Sequence, residues 1–99
     1  MTREKLLGYL DDAKNILVQL PDDFSVISVY VSDPGLAGGW TPPVRMQIYD
    51  AYEKIPAEAR EWGETLVEYE HEETGNMERY FDAGNVRVLT VKTEGKHER

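Results

Sequence analysis

The sequence predicts an α+β fold: an N-terminal helix packed on one face of a mostly antiparallel sheet of about five strands, with a C-terminal three-stranded meander. Three observations predict it. Apolar residues recur at helical spacing through the first part of the chain. Runs of strand length, rich in β-branched and aromatic residues, follow. The last third holds three such runs parted by short turn signals.

The helix begins at Thr2, a residue type that caps, with Glu4 in the first turn where the helix dipole favours an acid. Leu6, Leu10, Ala13, Leu17 and Leu20 recur at spacings of four, three, four and three, and Ile16 widens the stripe. Pro21 ends it, because proline lacks an amide donor and restricts the residue before it. The apolar stripe needs a surface to cover. A sheet supplies one.

"FSVISVYVS" reads as the first strand. Ile27, Val29 and Val31 point one way, and Phe24, Val26 and Tyr30 the other, so the strand is expected to be central or covered on both faces. "VRMQIYD" alternates Val44, Met46 and Ile48 with Arg45, Gln47 and Tyr49, the pattern of a half-buried strand. "IPAEAREWG" reads as one or two helical turns, with Pro56 early and Gly63 at the left-handed C-terminal position.

The meander consists of "TLVEYEHE", "MERYFDA" and "VRVLTVK", separated by "ETGN" and "GN". A two-residue Gly84-Asn85 turn sets Asp82 opposite Arg87, Phe81 opposite Val88 and Tyr80 opposite Leu89. At the first turn, a two-residue Gly75-Asn76 connection sets Glu72 opposite Arg79. A three-residue Thr74-Gly75-Asn76 connection sets Tyr69 opposite Phe81 and Val67 opposite Ala83 instead. Burying two rings together is worth roughly 2 kcal/mol or more and an exposed ion pair under about 1, so the three-residue turn is the expectation. It places Glu68 opposite Asp82 and Glu72 opposite Glu78, with Glu70 between them on one outer face. The other face of the sheet is expected to carry Phe24, Val26 and Tyr30, with Tyr80, Leu89 and Val91. The 56–62 turn or a partner would cover it, and a homodimer would form through this face or an edge strand.

Nineteen acids against eleven bases give a net charge of −8. Residues 57–82 hold nine acids and two bases, a net of −7, and the remainder is nearly neutral. Such a surface repels phosphate backbones, so direct nucleic-acid binding is not expected. The chain has no cysteine, hence no disulfide framework and no thiolate chemistry. No apolar run approaches the roughly 20 residues of a membrane span, and the charged N-terminus is unlike a signal peptide. The expectation is one soluble cytoplasmic domain over 1–99, with about 94–99 a frayed polar tail.

The loop "VSDPGLAGGWTPPV" holds three of eight glycines and three of five prolines. It matches neither phosphate-binding glycine pattern and opens no helix, so it reads as a long hairpin connection. Leu36 and Trp40 near its tip either fold back over the core or stand out as interface anchors. His71 is expected on the Val67 and Tyr69 face, away from the glutamates and near Arg79, while His97 lies in the polar tail. The two histidines form no zinc site, and no serine lies on a nucleophile elbow. No cofactor is implied.

Three function classes fit these features. The first is a non-enzymatic protein-interaction or accessory module. Its partner, a protein with a basic surface, meets Glu68, Glu70, Glu72, Glu78 and Asp82, or Leu36 and Trp40, or both. The second is an acidic nucleic-acid mimic that inhibits a DNA-binding protein by occupying its basic groove, which requires carboxylates spaced along a strip. The third is a small carboxylate-based metal binder or enzyme using Glu68, Glu70, Glu72 and His71, which requires those groups to converge. The expected placement of His71 on the opposite face from the glutamates ranks it last.

Overall fold

The computed structural model describes residues 1–33 and 41–92. Leu36, Trp40, His97 and the polar tail lie outside them. Helix α1 (Arg3–Leu17) starts where Thr2 Oγ1 accepts a hydrogen bond from the Lys5 amide at 3.1 Å. It ends before Leu20: residues 18–20 form a turn, and the Leu20 amide still reaches the Ile16 carbonyl at 3.2 Å.

Five strands follow: β1 (Ser25–Val31), β2 (Val44–Tyr49), β3 (Val67–Glu70), β4 (Met77–Ala83) and β5 (Val86–Lys92), with α2 (Ile55–Trp62) between β2 and β3. They form one sheet in the order β1-β2-β5-β4-β3. All neighbours are antiparallel except β2 and β5, which run parallel with Val44 beside Val86 and Met46 beside Val88. The fold is α+β. The predicted hairpin at Gly84-Asn85 forms, with Gly84 at φ 61°, and pairs Asp82 with Arg87, Phe81 with Val88 and Tyr80 with Leu89. Gly63 adopts φ 70° and closes α2.

One face of the sheet carries the core. Val44, Met46 and Ile48 of β2, Val86 and Val88 of β5 and Phe81 of β4 meet Ala13, Ile16 and Leu20 from the α1 segment and Ile55 and Ala59 of α2. Both helices cover this one face. The second face therefore gains no cover from residues 56–62, contrary to one of the expectations above.

Two strand placements correct the sequence reading. β1 is an outer strand, apart from Val31 exposed along its length. A bulge at Ile27, between Val26 and Ser28, reverses the alternation. Val26, Val29 and Val31 consequently share the helix side, and Ser28 and Tyr30 the open side, while Phe24 is buried in the core.

The second correction is the β3–β4 register. Val67 lies opposite Tyr80, Glu68 opposite Arg79, Tyr69 opposite Glu78 and Glu70 opposite Met77. Residues 71–76 form the connection, closed by the His71 amide on the Asn76 carbonyl at 2.8 Å and the Gly75 amide on the His71 carbonyl at 2.7 Å. Neither short turn forms. Relative to the expected pairing β3 slips by an odd number of residues, which exchanges its faces. Tyr69 and Phe81 stand on opposite sides of the sheet. Phe81 is covered instead by Trp62 of α2, ring centroids 6.1 Å apart. With Phe81 already sealed, pairing it with Tyr69 has nothing to add. The observed register also replaces like charges across the ladder with Glu68 and Arg79.

This placement has a measurable consequence. Phe81 is fully buried and Tyr69 is 42 % exposed, so Phe81→Ala should cost about 3–5 kcal/mol and Tyr69→Ala under about 2. Urea denaturation checks both, and equal losses would contradict the assigned faces.

Candidate functional site

The five carboxylates of the meander divide between the two faces. Glu68 and Glu70 lie on the helix side with Arg79, Glu78 and Asp82 lie on the open side, and Glu72 sits in the connection beyond β3. The single acidic patch expected from the three-residue turn does not form, because that turn does not form.

On the helix side Glu68 is held by two neighbours. The Tyr52 hydroxyl donates to Glu68 Oε2 at 2.7 Å, and Arg79 Nε donates to the same oxygen at 3.3 Å. Arg79 Nη1 also donates to the Tyr52 carbonyl at 2.8 Å, and its guanidinium lies over the Tyr52 ring at 4.1 Å. The Tyr52 hydroxyl first, and the Arg79 charge after it, hold the Glu68 carboxyl below the usual glutamate range against partial desolvation.

On the open side Glu78 is only 3 % exposed. Its Oε1 accepts from the Tyr69 hydroxyl at 3.0 Å and lies 2.8 Å from His71 Nε2. The Tyr69 and His71 rings are 4.8 Å apart. His71 does share the Tyr69 face, as its alternation predicts. It is against a glutamate rather than away from one, and Arg79 is on the other face, because the shifted register brings Glu78 opposite Tyr69. Burial, followed by the hydrogen bond to Glu78, pushes the Tyr69 phenol up. Further along, Asp82 accepts two hydrogen bonds from Arg87, at 2.8 and 3.1 Å, and the Arg87 guanidinium stacks over Tyr80 at 3.9 Å.

A carboxylate that orients an imidazole supplies two members of a catalytic constellation. Among the described residues nothing nucleophilic is hydrogen-bonded to His71, and the Thr74 hydroxyl instead accepts from the Asn76 amide at 3.1 Å. No group of three or more His, Asp or Glu side chains is placed to hold a metal among the described residues. The Tyr69 and His71 contacts satisfy the buried Glu78 carboxylate.

Compared with protein-family models, curated proteins and solved structures, the chain matches none. Function rests on geometry.

The feature that sequence reasoning missed lies elsewhere. The helical stripe of the sequence joins Leu6, Leu10 and Leu17 to Ala13, Ile16 and Leu20, yet only the latter three are buried. At about 100° per residue, Leu6, Leu10 and Leu17 occupy one sector of roughly 40°, beside the buried line but turned away from it. Asp12 marks the opposite flank, since its carboxylate accepts from Asn85 Nδ2 at 3.1 Å in the β4–β5 turn. The leucine sector therefore leans toward the β1 edge. The N-terminal ammonium, 3.2 Å from Asp33, holds the start of the helix beside the end of that strand. The leucine flank of the helix and Val26 and Val29 on the helix side of β1 are all exposed. The signal in the sequence was an excess: more leucines at helical spacing than a 15-residue helix on this sheet can bury.

No helix among the described residues is long and apolar enough to cross a membrane.

The Glu68 arrangement predicts a pH dependence. A carboxyl held below its ordinary value of 4.5 contributes stability above that pH and loses it as the pH falls through the folded-state value. In an NMR titration the Glu68 midpoint should lie below that of an exposed glutamate and rise in Tyr52→Phe. The urea midpoint of the variant should also fall less steeply with acid, and an unmoved Glu68 midpoint would show that Tyr52 is not its principal partner.

Proposed function

We propose that the chain is a non-enzymatic protein-interaction module that docks through the flank formed by α1 and the outer edge of β1. One observation carries this reading. Among the described residues, five of the thirteen exposed large hydrophobic side chains, Leu6, Leu10, Leu17, Val26 and Val29, lie on one helix flank and on the helix side of the strand beside it. Isolated exposed apolar residues are ordinary, whereas a contiguous set on one helix flank and the strand beside it is the mark of a docking surface.

The acidic residues take a different part in this reading from the one their clustering suggested. Glu68, Glu78 and Asp82 are engaged by Arg79 and Tyr52, by Tyr69 and His71, and by Arg87. Glu70 and Glu72 stay exposed at the far end of the sheet. They serve solubility and repel acidic neighbours, and together with Glu73 beside them they are what a basic partner would meet there. A nucleic-acid mimic needs a strip of free carboxylates, and these five are split between faces, with Glu68, Glu78 and Asp82 internally paired. Nothing here favours that alternative or the metal-binding one.

A photo-crosslinking amino acid placed at Leu10, with another at Glu73 as a control on the acidic connection, tests the surface in cells that express the chain. Adducts are expected from Leu10 and not from Glu73. Adducts from Glu73 alone, or none from Leu10, would overturn the assignment of this flank.

A further inference from the structure

We propose that the occupant of the α1–β1 flank is a second copy of this chain, with β1 pairing antiparallel to β1 about a two-fold axis so that two sheets become one; this rests on the docking reading above and names its occupant.

The hydrogen-bonding polarity of β1 sets the register. The Ser32 amide donates to the Pro43 carbonyl at 2.9 Å, so Ser32 turns its backbone groups toward β2. By the alternation of an antiparallel ladder Tyr30 and Ser28 do the same, and Val29 and Val31 turn theirs outward. Centring the two-fold on Tyr30 sets Val29 of each copy against Val31 of the other, and each pair exchanges both backbone hydrogen bonds. This register lies beyond the bulge at Ile27, which distorts only the beginning of the strand. The axis stands normal to the sheet, so both α1 helices remain on the same side. Their leucine flanks then face each other, while the two Tyr30 side chains meet on the open side.

Charge selects this edge and this partner. No Asp, Glu, Lys, Arg or His occurs from Phe24 to Ser32. The other edge of the sheet is β3, which carries Glu68 and Glu70. Charged side chains on an edge block strand addition, and an uncharged edge invites it. Two copies that each carry −8 repel least along an uncharged strand: Glu68 and Glu70 stand on β3, four strands from β1, and Asp22, Asp23 and Asp33 flank β1 only beyond its ends. An uncharged strand has no like charges to oppose when it pairs with itself.

The area is sufficient. Leu6, Leu10, Leu17, Val26, Val29 and Tyr30 are 37–61 % exposed. Their exposed surface comes to roughly 500 Å² per copy and about 1,000 Å² for the pair, before the new backbone ladder is added, and a specific interface needs about that much.

Sedimentation velocity on the whole chain from about 1 to 500 micromolar, together with amide exchange at both ends of that range, tests the pairing. The expected result is a change from one to two copies within the range, with slowed exchange at the Val29 and Val31 amides and none added at Ser28 and Tyr30. Val29→Pro removes an outward amide without touching the β1–β2 ladder, and Leu10→Lys charges the helix flank. Each should weaken the dimer at least about tenfold, and Leu10→Lys decides the matter if Val29→Pro fails to fold. A single copy at the highest concentration would overturn the proposal. So would a dimer that both variants leave intact, or one whose added protection lies on another strand. A single copy whose Leu10 still cross-links a different protein overturns self-pairing and leaves the docking surface standing, whereas a single copy with no Leu10 adduct overturns both.

Discussion

Burial of Phe81 beneath Trp62 decides which way β4 faces, and much of the molecule follows from that choice. With Phe81 turned toward the helices, Arg79 is carried to the same side, where it meets Glu68 and lies against Tyr52. The alternate residues Glu78, Tyr80 and Asp82 are carried to the open side, where Tyr69, His71 and Arg87 satisfy the two carboxylates. A ring of this size contributes about 2–3 kcal/mol by burial alone, more than an exposed ion pair can return. The apolar side chain sets the register, and the polar groups then find partners within it.

One-sided cover is the second consequence. Both helices pack on the face that holds Phe81, Val88 and Met46. α2, with eight residues, is about 12 Å long and is taken up with sealing Phe81. α1 spends Ala13 and Ile16 on the central strands, and its remaining leucines overhang an outer strand that has none of the charges of β3. The sheet thus has two unlike edges. One carries carboxylates, and the other is uncharged and flanked by leucine. Glu68 and Glu70 stand on one edge strand, and the other, β1, carries no charged side chain.

Local signals were legible and long-range ones were not. The β4–β5 hairpin could be read residue by residue, because Gly84-Asn85 fixes its turn and the opposed pairs agree on one register. Thr2, Pro56 and Gly63 marked helix ends by chemistry that acts within a few residues. The β3–β4 register could not be read the same way. It depends on Trp62 reaching Phe81 across the fold and on a connection of 71–76 closed by its own backbone. β1 misled for a related reason: apolar residues on both sides suggested a covered central strand, when they belong to an outer strand with a bulge at Ile27. The parallel pairing of β2 with β5 leaves no local trace, since α2, β3 and β4 lie between those strands in the chain. Of the candidate residues, the carboxylates were found and their grouping was not, because grouping follows register.

The most direct measurement of the central claim is a proton–proton NOE spectrum of the side chains around the Phe81 ring. The account predicts cross-peaks from that ring to Trp62 and to the Val88 methyls, and none to the Tyr69 ring. Cross-peaks joining Phe81 to Tyr69 would return both rings to one face and contradict the register on which the division of the acidic residues depends.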